Sequence, residues 1–587
     1  MAAKTKENTT KGLFSTLENK LILILLFAVF TYVLVKTAWV SDDAYVTFRV
    51  LDNFVNGYGL RWNVMERVQA FTHPLWLFLL VPFYLFTSEI FFTSIFVSMG
   101  LSLLALFVLT NKISSSMKGA VIAALPLILS KAFIDYSTSG LENALTHVIL
   151  VWFSYLFLTK KMSLKIFGLM TLATFLGVLN RMDILLLFAP ALIWGGLELR
   201  KGDENGKNTV SWKKLIGVAA LGASPFILWE IFSLIYYGFP FPNTAYAKLG
   251  AGVPTLELVQ QGFLYIMNSI NWDPITMVTI TLGALLPILM KNKKLMMLSI
   301  GVMLYLLYVL KIGGGFMSGR FLTAPLFVSA IILSRLIKPS FKAMPALLIT
   351  ILILGIMPSR SPIRATESYT VPKTKSGVLF IPPNGVADER GYYFRESGLI
   401  HATRGTEMPT FEWAEVGKEM RLEGKVALMT GAIGMIGYFA GPNVLFMDYH
   451  ALSDPLLARL PAMTEDDYWL AVAGEPGWRI GHFRRNFPKG YPETLLNSVK
   501  ENLIENQDIK LYYDKLHSIV GGPIWSGERF SNIIAMNLGE YDYLLESFDP
   551  DDTVTADYYA DLLKNERANV SYSSNLEKEE VGEDKKE

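Results

Sequence analysis

Between residues 21 and 357 one apolar run follows another, and runs of this kind leave a backbone little choice. Inside a bilayer no water reaches the peptide N–H and C=O groups, so each run must close its hydrogen bonds within itself as a helix. The runs are 21–40, 74–110, 118–133, 141–158, 164–179, 183–199, 214–236, 273–290, 295–311, 321–337 and 341–357. Several are shorter than the ~20 residues a straight span needs, and tilt or borrowed flanking residues would make up the length. The expectation is a polytopic α-helical membrane protein with about 11 spans.

Charge orients them. Basic clusters lie in residues 1–20 (Lys4, Lys6, Lys11, Lys20) and at Asn111–Lys118, Thr159–Lys165, Arg200–Lys214, Lys291–Lys294 and Arg335–Lys342. The positive-inside rule puts all six in the cytoplasm. No small-x-small cleavage site follows the first run, which reads as a retained span with a cytoplasmic N-terminus. The alternation of sides then requires 74–110 to cross an odd number of times, as one span with an interfacial helix or as three short crossings. The intervening connections face the other side, as does everything after residue 357. The expected domains are a cytoplasmic 1–20, a transmembrane catalytic module over 21–357, an extracytoplasmic α/β domain over 358–564, and a charged, disordered tail over 565–587. The expected place is the plasma (inner) membrane.

The α/β reading rests on two strands, Lys425–Thr430 and Val444–Asp448, joined by a turn and short helix over 431–438. Glycines 431, 434 and 437 are spaced GxxGxxG rather than GxGxxG, which favours close packing over nucleotide binding. The net charge of +1 and the lack of a basic stripe exclude nucleic acid as a partner. The chain has no Cys, which excludes thiol chemistry and Cys-ligated zinc, and its six His form no HExxH. No protein-held metal is expected, although the adjacent acids below leave a divalent ion open.

Those acids are Asp42 and Asp43, just beyond the first span. An N-cap followed by an acidic first turn would give them a purely structural role. The rest of the polar stretch 41–73 argues for chemistry: Arg61, Trp62, Glu66 and His73 join carboxylates, a cation and a flat aromatic, as a sugar phosphate would need. On the same side stand Glu142, Arg181 and Asp183 in two short connections, then Asn243, Tyr246 and Lys248 after the proline-broken Tyr236–Pro242. The glycine turn Lys311–Arg320 follows, its backbone amides and Arg320 making an anion site. Each also has a structural reading, as a span cap, an Arg–Asp turn, a stiff loop or a flexible hairpin. Ionisable groups at membrane depth are costly, and they tend to mark sites or to pair internally.

In this order the motifs resemble GT-C glycosyltransferases that use polyprenyl-phosphate sugars, and most closely the mycobacterial-type terminal β-(1→2)-arabinofuranosyltransferase family. The resemblance rests on Asp42-Asp43, 56–63 (NGYGLRWN), 66–76 (ERVQAFTHPLW), 236–248, 313–322, 434–442, 454–461 and 481–485, and runs from about 20 to 545. It implies a catalytic carboxylate at Asp42 or Asp43, a decaprenyl-phosphate arabinofuranose-type donor, and an extracytoplasmic glycan acceptor in cell-envelope biogenesis. The glycine turn departs from the family's Gly-Gly-Asp-Phe-Met, with Gly315 in place of the acid.

The resulting expectation is a membrane glycosyltransferase that moves arabinofuranose or a similar pentose from a lipid phosphate to a glycan hydroxyl. Asp42 or Asp43 would be the base. Arg181, Arg320 and Lys248 would hold the phosphate, and Arg61, Trp62, Glu66, His73, Glu142, Asp183, Asn243 and Tyr246 would contact substrate. In the C-terminal domain Asp448, His450, Asp454, His482, Arg484 and Arg485 would hold the acceptor. The alternatives are transfer of another lipid-linked sugar to protein, pilin or lipopolysaccharide, a lipid-glycan transporter, and a glycan-binding sensor. No internal repeat supports a transporter.

Overall fold

The computed structural model describes residues 16–202, 209–365, 373–374, 377–378, 384–424, 427–463, 479–497, 501–554 and 570–572. The expected cytoplasmic N-terminus up to residue 15 and nearly all of the expected tail from 565 lie outside these, as do Lys425 and Val426 of the first expected strand.

Every apolar run is helical. In chain order the helices are α1 (Leu17–Thr37), α2 (Asp42–Val55), α3 (Pro74–Thr87), α4 (Phe91–Val108), α5 (Met117–Leu129), α6 (Lys131–Tyr136), α7 (Asn143–Thr159) and α8 (Leu164–Asn180). They continue with α9 (Leu185–Lys201), α10 (Trp212–Tyr236), α11 (Asn243–Leu249), α12 (Thr255–Trp272), α13 (Pro274–Leu289), α14 (Lys293–Lys311), α15 (Thr323–Leu336) and α16 (Met344–Ile356). Ser41, Ser116, Ser163, Ser211 and Asn292 cap α2, α5, α8, α10 and α14 by accepting a first-turn N–H.

Among the described residues five helices are long and apolar enough to cross a membrane: Leu17–Thr37, Phe91–Ile113, Met182–Lys201, Trp212–Tyr236 and Lys293–Lys311. Counting α12 and α13, bent by 113° at their junction, as one span makes six. The expected count of about 11 is not reached, because α3, α5, α7, α8 and α16 have only 10–17 residues. At 1.5 Å per residue even the longest of these is about 26 Å, short of the ~30 Å hydrocarbon core. Run 74–110 resolves into the short α3 and the long α4. The bundle is layered by burial. Helix α15 is buried on all sides from Thr323 to Ser334, whereas α10 buries only Leu215, Gly222, Ala223 and Ser233. Composition alone does not separate these two, since both are predominantly apolar.

Three helices, α2, α11 and α12, lie in stretches read from sequence as connections. Helix α2 begins at Asp42 and is covered along most of its length, burying Ala44 through Leu51 without a break. Helix α12 carries a polar face, with Glu257 in its first turn.

Beyond α16, the described residues contain α17 (Glu389–Ser397), α18 (Glu412–Glu423), α19 (Met435–Ala440), α20 (Tyr491–Leu496), α21 (Gln507–Val520) and α22 (Gly527–Asn537). Strand Ala427–Thr430 pairs in parallel with Leu445–Asp448 and, on its other edge, with Val570–Tyr572. Helix α19 joins the first two strands. This part does not stand on a core of its own. Val386, Phe394, Met435 and Phe446 belong to the same apolar cluster as α1, α7 and α15. A second cluster unites Val68, Phe239 and Ala247 with Leu456, Tyr491 and Leu516.

Clasps bind the halves. Arg49 of α2 donates to the Trp62, Gly437 and Val444 carbonyls. The Asn63 amide accepts from Phe446 N (3.1 Å) and donates to Phe446 O (3.0 Å), taking a neighbouring strand's place at that sheet edge. A Cβ on Gly437 would lie 2.7 Å from the Trp62 ring, and one on Gly434 would lie 2.1 Å from the Asp42 carbonyl oxygen. These glycines therefore let α19 press onto α2.

Candidate active site

The ends of seven helical segments meet at one edge of the bundle. Asp43 is in the first turn of α2, His73 caps α3, Glu142 caps α7, and Arg181 ends α8. Asp183 stands in the turn opening α9, Lys248 in the last turn of α11, and Arg320 opens the turn before α15. Helix ends expose unpaired peptide groups and tolerate charge, so apolar helices place their ionisable residues there. Together these residues line a cavity of about 270 Å³.

Glu142 organises the charges. Its Oε1 receives Arg181 Nη1 at 2.6 Å, and its Oε2 receives Arg320 Nη2 at 3.2 Å. Burial alone would raise this carboxyl, but Arg320 and Arg181 outweigh it and hold it far below the usual glutamate range. His73 Nδ1 is 3.4 Å from Glu142, yet burial lowers the His73 pKa to about 4. At neutral pH that contact is to a neutral ring, held from its far side by Thr47 at 2.7 Å. Arg181 also forks onto Asp183 through Nε (3.1 Å) and Nη2 (2.6 Å), and Tyr305 donates to the same carboxylate at 2.9 Å. The cavity thus has three carboxylates and three cations. The two arginines are engaged by Glu142 and Asp183. Among the described residues Lys248 makes no ion pair, and its Nζ lies beside Gly481.

Asp43 is the junction. Its side chain is 38% exposed, and Oδ2 lies 3.6 Å from Arg320. It lines the 270 Å³ cavity, a neighbouring cavity of about 440 Å³ and a smaller one of about 50 Å³. The 440 Å³ cavity shares Lys248 and Arg320 with the first, but its walls are mainly apolar, including Leu249, Leu258, Ile312, Phe316, Ile480 and Phe483. Gly315 lies on its wall, where a Cβ would come within 2.9 Å of the Phe321 ring.

Asp42 points elsewhere. Its Oδ1 accepts the Met435 N–H at 2.6 Å, at the start of α19, and only 8% of the residue is exposed. Burial raises its pKa to about 7 against an ordinary value of 3.8, with the Met435 N–H acting in the opposite direction. The native carboxyl therefore keeps its proton where the unfolded chain has lost it. The stability this gives is present below about pH 4 and is lost as the pH rises towards 7. Asp42→Asn keeps an acceptor for Met435 and removes the titration, so it should fold and flatten this pH dependence. Asp42→Ala leaves a buried N–H unpaired, at a cost of about 1–3 kcal/mol. Melting of the detergent-solubilised variants across pH 4–8 tests this, and an unchanged midpoint for Asp42→Ala would refute it.

The other expected site residues are dispersed. Arg61 bonds Tyr236 Oη (3.2 Å) and the Val64 carbonyl (2.9 Å). Trp62 is fully buried beneath Arg49 and against Phe446, so no face of its ring is open to a sugar. Glu66 accepts from Asn63 at 3.4 Å, and burial raises its pKa to about 8. Asn243 holds the carbonyls of Ala451, Leu452 and Asp454. Tyr246 packs under Arg459. Asp448 and Asp454 are buried loop staples, bonded to the His450 and Ser453 amides and to Tyr491 and the Leu457 amide. Arg484 lies over Tyr449, and Arg485 bonds the carbonyls of Phe483, Leu460 and Ala247. None of these lines the three cavities, whereas His450 and His482 both line the smallest. Sequence reading missed Thr47, Tyr305, Glu389, Trp413 and Arg479. Thr47 lies in the polar stretch 41–73 without having been singled out as a contact, and the other four sit in no motif named there, so only the fold carries them to the site. Among the described residues no three His, Asp or Glu converge as metal ligands would.

The resemblance read from the motifs is the one found among known proteins. The chain is 26% identical over 340 residues to a terminal β-(1→2)-arabinofuranosyltransferase of Mycobacterium tuberculosis, covering 49% of this chain and 51% of that one. It is 25% identical over 335 residues to the protein of the same name from Corynebacterium glutamicum, covering 49% of this chain and 46% of the relative. The chain thus spans about half the length of the curated relatives it matches. Among solved structures it is similar to an archaeal oligosaccharyltransferase from Archaeoglobus fulgidus, in complex with an inhibitory peptide and a dolichol-phosphate. The TM-score is 0.42 at 12% identity, over 76% of this chain and 65% of that one. No family model matches the chain.

Proposed function

We propose that this protein is a multi-pass membrane glycosyltransferase that moves a pentose, arabinofuranose or a close analogue, from a polyprenyl-phosphate donor to a glycan hydroxyl on the extracytoplasmic side of the inner membrane. The observation that carries the reading is the meeting of three cavities at Asp43, with Arg320 and Lys248 common to the two larger ones. A lipid-phosphate sugar has three parts in sequence. They match a 270 Å³ cavity lined by charged side chains for the sugar, a pair of cations for the phosphate, and a mainly apolar 440 Å³ cavity for the first isoprene units. The curated relatives' shared name supports transfer of arabinofuranose.

The acceptor oxygen attacks the anomeric carbon, the bond from that carbon to the phosphate oxygen breaks, and the acceptor's proton passes to Asp43. The departing phosphate is a weak base, so it needs charge stabilisation rather than a strong acid. Arg320 and Lys248 supply that charge, and Glu142 with Arg181 fixes Arg320 in place. Asp42 is a latch between α2 and α19, not the base.

The test is incubation of the full chain in proteoliposomes with a polyprenyl-phosphate arabinofuranose and a short arabinan. Release of lipid phosphate and a pentose added to the glycan support the reading. Movement of the lipid-linked sugar without bond cleavage would replace it with transport. Lys248→Met removes the unpaired cation and should raise the donor KM by about ten- to a hundredfold, the worth of one charge-assisted hydrogen bond. An unchanged donor KM would remove Lys248 from the phosphate site.

A further inference from the structure

The smallest of the three cavities, about 50 Å³, lies between Asp43 and the C-terminal part of the chain. Its walls include Glu389, Trp413, His450, Arg479 and His482. Glu389 is 4% exposed, His450 3% and Trp413 8%. Among the described residues Glu389 Oε2, Trp413 Nε1, His450 Nε2 and His482 Nδ1 are buried and have no hydrogen-bond partner. Buried polar atoms are nearly always paired, so four unpaired ones around one small cavity mark a place built for a polar guest.

The chemistry of the four atoms narrows the guest. The indole of Trp413 only donates. His450 places Nδ1 against the Gly431 carbonyl at 3.3 Å, which leaves Nε2 as an acceptor. Burial, reinforced by Arg479, keeps both imidazoles from charging. An anion would meet Asp43 at the mouth, and a cation would meet Arg479. A neutral hydroxyl both donates and accepts, and suits this mixed set. The volume admits a few hydroxyl-sized groups and is far below that of the neighbouring cavities, so it takes the edge of a sugar rather than the ring.

We infer that this pocket binds the non-reacting hydroxyls of the acceptor's terminal sugar, and so fixes which hydroxyl faces Asp43. The inference rests on the glycosyltransferase reading and adds to it the residues that position the acceptor. Trp413, His450 and Glu389 are positioning residues, with Asp43 at the pocket's mouth.

The test uses the full chain in proteoliposomes, polyprenyl-phosphate arabinofuranose as donor, and an octyl arabinofuranosyl disaccharide with its mono-deoxy analogues as acceptors. Trp413→Phe keeps an aromatic side chain while removing the indole N–H and part of the ring volume, and His450→Gln keeps a polar group. Each should raise the acceptor KM by about three- to tenfold, the loss expected for one neutral hydrogen bond, while the donor KM holds. A deoxy analogue that is poor for the wild type should lose no further affinity with the matching variant, the mark of a shared contact. Acceptor KM unchanged in both variants, or donor and acceptor KM rising together, would overturn the inference. Wild-type protein that releases no lipid phosphate with any acceptor would instead refute the glycosyltransferase reading itself.

Discussion

Asp43→Asn is expected to lower sugar transfer by about 10²–10⁴-fold, the usual worth of a positioned general base. The substitution is isosteric, so the three cavities around Asp43 keep their shape and the loss is chemical. Asp42→Asn, one residue away, is expected to turn over close to wild type, because its acceptor for the Met435 N–H survives. The measurement is single-turnover release of lipid phosphate by both variants, with melting curves to confirm folding. Two results would sink the assignment: Asp43→Asn active at the wild-type rate, or Asp42→Asn as impaired as Asp43→Asn while equally well folded. The contrast is informative because the two acids are adjacent and chemically identical. They differ in what surrounds them, a partly exposed junction of cavities for Asp43 and a buried helix end for Asp42.

Glu142→Gln is expected to cost about 3–5 kcal/mol of stability, as when one partner of a buried ion pair is removed. Glu142 is 1% exposed and accepts from two guanidinium groups, Arg181 on Oε1 and Arg320 across both oxygens. A glutamine has one acceptor oxygen, and its amide N–H groups would face the second arginine's own donors. Because its carboxyl pKa is depressed, the wild-type contribution is held at every pH above the ordinary glutamate range and is lost only on acidification below it. The melting temperature at neutral pH should therefore fall, and the donor KM should rise as Arg320 loses its anchor. A Glu142→Gln protein that melts and binds donor like the wild type would show that Arg181 and Arg320 are positioned by other groups.

The helical half was legible because an apolar run has one stable form in lipid, and every run is a helix. Burial within the bundle was not legible, since α15 and α10 are both predominantly apolar and yet one is covered on all sides and the other on few. The βαβ unit was visible as two strands around a glycine-rich turn. What the glycines approach was not, because Gly434 and Gly437 face Asp42 and Trp62, almost 400 positions earlier in the chain. Seven of the ionisable residues expected on one side line a single cavity, yet residue type could not sort them from the rest. Glu66 has the same side chain as Glu142, and Asn243 and Trp62 are as able to contact a sugar as the residues that line the cavity, yet all three are staples of loops and core.

By itself the sequence determines that the chain is a helical membrane protein with many of its ionisable groups in the connections and at helix ends, because burying them among apolar helices is costly. It also carries, in ordered motifs, its likeness to arabinofuranosyltransferases. Only the tertiary structure decides which of two neighbouring acids stands open at the junction of the cavities. The reason is geometric. Successive residues on a helix point about 100° apart, so the packing of α19 onto α2 buries the first acid and leaves the second facing Arg320.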